Sequence, residues 1–332
     1  EIAKIEIKKG DDTTVLERTE TGDRFVLASA DGYYAANGEV NRFIKDVLGI
    51  GLEKEVGENE GLHDELGLVS GGEETLEVAF TGAAGKEMVR FLVGNADEGG
   101  VGSYVRRADA GDSTVYLTER RVYLDTDAES FLDKQILDVQ RDAVVSIRGA
   151  GYSFARAGVA LPQARAEGAA DSPADDGAVE GEAAEGEDLE PGELELADLP
   201  EGKKESPKAG QLKGALSNLR FTEHHLANAA EVAGLAFDTS VEFLLDDGSG
   251  YLVSLAQSGD KHFLKVEAFH TAGRIMIAQD ADEDEVRETS EILERADEIQ
   301  LWNAFHGSWV YGVTDVVANR FRGTAAELVE DA

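Results

Sequence analysis

Cysteine is absent from the 332 residues, so the chain forms no disulfide, holds no metal through thiolate and uses no cysteine nucleophile, whatever compartment it occupies. Basic side chains are scarce. Lys and Arg number 31 against 68 Asp and Glu, a formal net charge of −37 that disfavours nucleic acid and anionic membrane surfaces as partners. No run approaches the roughly 18–20 uninterrupted apolar residues of a membrane-spanning helix, and no positively charged, apolar signal sequence opens the chain. The chain begins at Glu1 and, with Ile2, Ile5 and Ile7, at once enters what reads as a strand, which points to the removal of an N-terminal segment.

Acid is what the sequence has in excess. Residues 163–201 hold fourteen Asp or Glu and one basic side chain, Arg165, yet the remainder still carries −24. Lysine is scarcer than arginine, 13 to 18, as in proteins whose solubility must survive high salt. The pattern points to a halophilic or marine source; the plainer reading is an acidic surface that prevents self-association.

Alternation of apolar and polar residues marks strands at Ile5 and Ile7, Val15 and Leu16, and Phe25 and Leu27, joined by polar turns. Asn37 stands where a helix N-cap belongs, and Val40, Phe43, Ile44, Val47 and Leu48 follow at the spacing of one buried helix face. Leu76–Phe80, Val89–Val93, Tyr104-Val105 and Val115–Leu117 read as four further strands, with a turn over Asp109–Asp112. A helix over Ala128–Leu137 closes the half. From Arg141 the same order returns: strands at Val145 and Ile147, Tyr152 and Phe154, and Leu194 and Leu196. Then comes a helix opened by Ser206-Pro207 with a buried stripe of Leu212, Ala215, Leu216 and Leu219. Strands at Val241–Leu245, Tyr251–Leu255, Phe263–Val266 and Trp309–Tyr311 and a short helix over Ala325–Val329 complete it. The expected fold is α+β: two tandem similar units, residues 1–140 and 141–332, each a mainly antiparallel β-sheet packed with one or two helices. Residues 163–193, almost devoid of large apolar side chains, read as an acidic disordered insertion within the second unit.

Catalytic templates fail on residue type or spacing. Gly82-Ala83-Ala84-Gly85-Lys86 lacks the full phosphate-loop spacing and falls in a hairpin turn. Asp280, Asp282, Asp284 and Glu291 match positions 1, 3, 5 and 12 of a calcium loop, but Glu285 occupies the sixth position, which needs glycine. Acids at the first turn of a helix carrying Val286, Ile292, Leu293, Ala296 and Ile299 are the simpler reading, so this set is a weak calcium candidate. The six histidines show no HxH or HxxxH spacing, and His224 and His225 diverge if helical. No catalytic, cofactor or metal residues are therefore assigned. Trp302 and Trp309 lie in the apolar run Leu301–Tyr311 and read as core residues or as an exposed contact for a partner.

The order of motifs resembles a known family. It rests on Arg24-Phe25-Val26-Leu27, Tyr34-Ala35-Ala36 leading to Val40, Leu66-Gly67-Leu68, Phe91-Leu92-Val93-Gly94, Ser103-Tyr104-Val105-Arg106-Arg107, Val115-Tyr116-Leu117 and the segment Phe131–Asp138. Leu194-Glu195-Leu196 and Trp309-Val310-Tyr311 match more loosely. In these the chain is similar to the "domain of unknown function 4340" proteins over most of residues 1–145, with Phe25 where that family has tryptophan and an unusually long acidic insertion. The resemblance implies an extracytoplasmic protein, periplasmic or at the cell surface, tethered by an N-terminal membrane segment. It also implies association with ABC-type transport or gliding-motility components and no enzymatic residues. The expected function is that of a non-enzymatic accessory or scaffold acting through protein contacts, partnered by ABC permease or ATPase subunits or by copies of itself, with exposed strand edges as pairing sites. The alternative is a self-assembling surface or filament protein.

Overall fold

A computed structural model describes residues 1–108, 111, 113–157, 192–271 and 283–332, which separate into two compact units, Glu1–Lys134 and Gln135–Ala332. The fold is α+β, mostly antiparallel sheet with few helices. Residues 163–191 of the expected acidic insertion lie outside the described residues, as do most of the Asp109–Asp112 turn and both Asp280 and Asp282.

Unit 1 comprises β1 (Ile2–Lys9), β2 (Asp12–Arg18), β3 (Phe25–Leu27), β4 (Tyr33–Tyr34), α1 (Asn37–Leu48), β5 (Leu52–Gly57), α2 (Gly61–Glu65), β6 (Leu76–Gly82), β7 (Glu87–Ala96), β8 (Ser103–Arg107) and β9 (Val115–Thr118). Its nine strands pair in the order β4-β3-β2-β1-β6-β7-β8-β9-β5. Period-two alternation sends Ile5 and Ile7 of β1 into the core with Leu16, Val78 and Phe80. The same alternation sends Lys4, Glu6 and Lys8 to the wet face, where Glu6 accepts Lys8 at 2.6 Å and Lys4 at 3.4 Å. The hydrogen bond from Lys8 holds the Glu6 carboxyl below the usual carboxylate range.

On the core face α1 buries Val40, Phe43 and Val47, and Phe131 meets the Phe43 ring edge-on at 5.5 Å. Two details of the expected helix change. Asn37 is its first helical residue and Ala36 precedes it without a side-chain cap; Leu48 lies 71% exposed instead of continuing the buried face. The helix expected over Ala128–Leu137 is a single 3-10 turn, Ala128–Phe131, followed by β10 (Gln135–Leu137). The main chain there is tied sideways: Ala36 donates to the Phe131 carbonyl and Asp133 donates to Tyr34, so the bonds a helix needs are spent on the β4 edge.

Unit 2 continues with β11 (Val144–Gly149), β12 (Tyr152–Arg156), β13 (Leu194–Leu196), β14 (Lys203–Glu205), α3 (Pro207–Lys213), β15 (Leu219–Arg220), β16 (Glu223–Leu226), β17 (Phe237–Leu245), β18 (Ser249–Ser258), β19 (Lys261–His270), α4 (Glu283–His306), β20 (Trp309–Val313), α5 (Asp315–Phe321) and β21 (Val329–Asp331). Eight strands pair as β13-β12-β11-β17-β18-β19-β20-β16, with β10-β15 and β14-β21 as separate two-stranded pairs. Because β10 pairs with β15, residues 135–137 fall in the second unit, where the sequence pattern put the change after residue 140.

Pro207 opens α3 as expected, but the helix stops at Lys213; Ala215 and Leu216 are buried past Gly214, and Leu219 past a left-handed Asn218. Ala325–Leu328 is a turn leading to β21, and the terminal helix is instead α5, capped by the Thr314 hydroxyl accepting from Val317. α4 is pinned to β19 by Asn303, whose side-chain amide exchanges two hydrogen bonds with the Ala268 main chain at 2.8 and 2.7 Å. Of its expected apolar face, Ile292, Ala296 and Ile299 are half-buried and Leu293 is exposed.

Candidate functional site

The residues singled out from the sequence are dispersed. Of the calcium set, Asp284 and Glu291 both lie on α4, and no cluster of metal-ligating side chains occurs among the described residues. Gly82–Lys86 forms the β6–β7 hairpin turn, closed by Gly82 donating to Lys86. His224 and His225 sit on β16, a strand, so adjacency sends their rings to opposite faces.

Trp309 is 4% exposed, which places it in the core of unit 2, the first of its two expected roles, and not on an exposed contact surface. Trp302 is half-buried, stacked on His306 at 4.0 Å between ring centroids and edge-on to Tyr251. His306 Nδ1 lies 2.6 Å from the buried Tyr311 hydroxyl, so this aromatic group packs α4 onto β18 and β20.

A depression of about 410 Å³ in unit 2 is lined by Tyr152, Lys208, Ser240, Arg322 and Glu327, among others. Burial pushes the Tyr152 phenol up to about 12. The unfolded phenol ionises near pH 10 while the folded one keeps its proton, so stability from this group is intact below about pH 10 and falls as pH rises towards 12. Urea midpoints followed by tryptophan fluorescence across that range are expected to fall less steeply in Tyr152→Phe.

The end of unit 1 at β5 has a different character. Among the described residues β5 pairs only with β9, through a register broken between Leu52 and Lys54 and again between Glu55 and Gly57. With Glu53, Lys54 and Glu55 along it, this open edge carries the bulges and charges that discourage indiscriminate strand pairing. At its start the chain opens into a groove of about 450 Å³. One wall is the C-terminal end of α1 with Asp46, Gly49 and Ile50, where a Cβ on Gly49 would fall 2.9 Å from the Lys45 carbonyl. The other wall is Thr118–Leu124, which leaves β9 as an extended segment turning Val122 and Leu124 inward onto the core and Tyr123 outward.

Tyr123, in the lining, is 76% exposed, and Leu48 and Leu52, which flank the lining residues 49–51 in the chain, are also exposed. Arg121 lies over the Tyr123 ring at 5.3 Å. Sequence reading missed this site because it took Leu48 for core and passed over 119–124. The available signal was the doublet Arg120-Arg121, followed by Val122-Tyr123-Leu124, in a chain poor in basic residues.

Residues 26–199, just over half of the chain, match the family described as domain of unknown function (DUF4340), from within β3 through β13. No curated protein matches the chain, and no solved structure does. The motifs of the first unit and this match agree, and the chain belongs to the DUF4340 family.

Proposed function

We propose that the chain is a non-enzymatic accessory or scaffold subunit of an ABC-type transport or gliding-motility-like complex. In this reading it lies outside the cytoplasm, is tethered by an N-terminal membrane segment outside this sequence, and works by protein contact at the β5 end of unit 1. The observation that carries the contact site is the exposed Tyr123 ring with Arg121 over it in the lining of an open groove, next to a chain segment whose flanking Leu48 and Leu52 are exposed. Exposed aromatic and arginine side chains of this kind supply the energetic centre of protein interfaces.

We also propose that the two units are tandem copies. Support comes from strand order: β3-β2-β1-β6-β7-β8-β9-β5 and β13-β12-β11-β17-β18-β19-β20-β16 correspond strand for strand in chain sequence. Each unit also sends the connection after its edge strand to build a second apolar cluster. Leu68 meets Leu92 and Val115 in the first; Val232 meets Ala256, Phe263 and Val310 in the second.

The test of the contact reading is a photoreactive phenylalanine analogue in place of Tyr123, in the full-length membrane-tethered protein, irradiated in native membranes at the source's own salt concentration. Crosslinks to permease subunits are expected. Crosslinks solely between copies of the chain overturn the reading in favour of a self-assembling surface or filament protein. The acid excess supports adaptation to salt, for which the melting temperature is expected to rise from low to molar salt; a flat profile removes that element.

A further inference from the structure

In unit 2, β17 runs on past the end of β11. It pairs with β18 from Phe237, whereas its pairing with β11 begins only at Glu242, so among the described residues one flank of residues 237–241 carries no strand. The depression of about 410 Å³ is lined there by Ala150 of the β11–β12 turn, by residues 238–241, and by the start of α3 and the end of α5. Its volume falls in the range of about 300–1,000 Å³ common to small-molecule sites.

Two polar side chains in this lining have nothing to bind in the fold. Arg322 and Tyr152 are half-buried, yet the guanidinium forms no hydrogen bond or ion pair among the described residues, and the phenol hydroxyl forms no hydrogen bond. The Tyr152 ring lies against Gly149 and leaves no room there for a Cβ, which holds it at the turn. The other charged groups keep capacity to spare. Lys208 spends one of its N–H groups on the Asn319 carbonyl. One Glu327 oxygen accepts from the Thr324 amide and hydroxyl at 2.9 and 3.0 Å, and one Asp238 oxygen accepts from the Thr239 hydroxyl at 3.3 Å. The second oxygen of each carboxylate has no hydrogen bond among the described residues.

Lys208 and Arg322 against Asp238 and Glu327 make the lining neutral, in a chain of −37. The charges also interleave: hydrogen bonds from Thr324, and after them the nearby Lys208, hold the Glu327 carboxyl below the usual carboxylate range. An anion therefore meets Asp238 and Glu327, a metal cation meets Arg322 and Lys208, and a zwitterion finds no charges sorted to opposite sides. An apolar ligand would cover the Arg322 guanidinium and the Tyr152 hydroxyl without replacing their water. A sugar hydroxyl donates and accepts at once, so neighbouring hydroxyls satisfy a carboxylate and a guanidinium together, with no net charge to be repelled.

We propose that this depression binds a neutral saccharide, whose hydroxyls accept from Arg322, Lys208 and the Tyr152 hydroxyl and donate to Glu327 and Asp238. The site is separate from the contact surface of unit 1 and does not rest on it.

The experiment titrates the isotopically labelled full chain with cellotriose, maltotriose, an α-linked mannotriose and di-N-acetylchitobiose, and follows amide resonances. One or more of them is expected to shift residues 149–152, 238–241 and 319–327 saturably. The affinity should change little from low to molar salt, because the ligand carries no charge. Arg322→Gln is expected to weaken binding about tenfold, and Tyr152→Phe by a smaller factor. The melting temperature of Arg322→Gln should match the parent's, since the guanidinium has no partner among the described residues. Failure of every saccharide, shifts confined to other residues, or unchanged affinity in Arg322→Gln overturns the proposal. So does inorganic phosphate, glycine or a capped tetra-alanine peptide moving these resonances at lower concentration than any saccharide, which would assign the depression to an anion, a zwitterion or an added strand.

Discussion

Replacing Arg90 by Met is expected to destabilise unit 1 by about 3 kcal/mol, because it strands a carboxylate that folding has taken out of water. Glu77 of β6 points to the face opposite the core yet is only 4% exposed, covered by the connection that carries Ser70, whose hydroxyl donates to it. Its charge is met by the Arg90 guanidinium from β7, which also binds Glu87, and Glu87 and Glu77 together raise the arginine's already high proton affinity. With Arg90 gone, Glu87 keeps water and Glu77 does not. The companion variant Glu77→Leu, Arg90→Met is expected to recover most of the loss, since an apolar pair of similar volume carries no desolvation cost. Both tryptophans lie in unit 2, so the unfolding of unit 1 must be read by hydrogen exchange of β6 and β7 amides. A single Arg90→Met variant with unchanged protection would show that Glu77 is solvated and that the argument is mistaken.

Glu205→Ala is expected to cost unit 2 a comparable amount, about 3 kcal/mol, through two linked losses. One carboxylate oxygen accepts the Leu196 main-chain N–H at 2.9 Å and so closes the β13 edge of the sheet; the other binds Lys213 of α3. Lys213 is 5% exposed, with its ammonium 5.3 Å from the centre of the Phe154 ring, and has no route to water when the carboxylate is removed. Glu205→Gln keeps an acceptor for Leu196 but no charge for Lys213, so it should fall between Ala and the parent. Trp302 and Trp309 report unit 2 directly, and urea midpoints by fluorescence give the ranking. Equal midpoints for Ala and Gln would mean that the β13 hydrogen bond contributes nothing.

Both ion pairs were invisible in the sequence for one reason. Glu77 and Arg90 are thirteen residues apart on two different strands, and Glu205 and Lys213 eight apart on a strand and a helix, so no single period relates the members of either pair. They meet only because β6 pairs with β7 in a particular register and because α3 folds back over its own approach strand.

Local pattern did mark most strands. β1, β2, β6, β7, β11, β17, β18 and β19 each carry an alternation that decides which side chains face the core, and the structure places Ile5, Val78, Ile147, Phe243 and Leu264 there. The pattern failed where burial was not alternating: β5 is exposed almost throughout, β16 is half-buried throughout, and α5, at seven residues, is too short to show a helical period. It also failed where a helix period persisted beyond its helix. Leu48 continues the spacing of Val40 and Val47 yet emerges into solvent past the last turn that meets the sheet, and Leu216 stays buried although α3 has ended.

The sequence by itself determined the absence of thiol chemistry, the acid excess, the alternating strands and, through ordered motifs, the family. Those properties reside in single residues or in neighbours a few positions apart. Only the tertiary structure decided which strands lie side by side. It placed β5 against β9 some sixty residues later, and thereby brought Gly49, Ile50 and Gly51 to the same groove as Arg120, Arg121 and Tyr123. Periodicity reports the face a side chain turns towards, whereas a site assembled across a sheet depends on pairing and register, which are won in competition among distant segments.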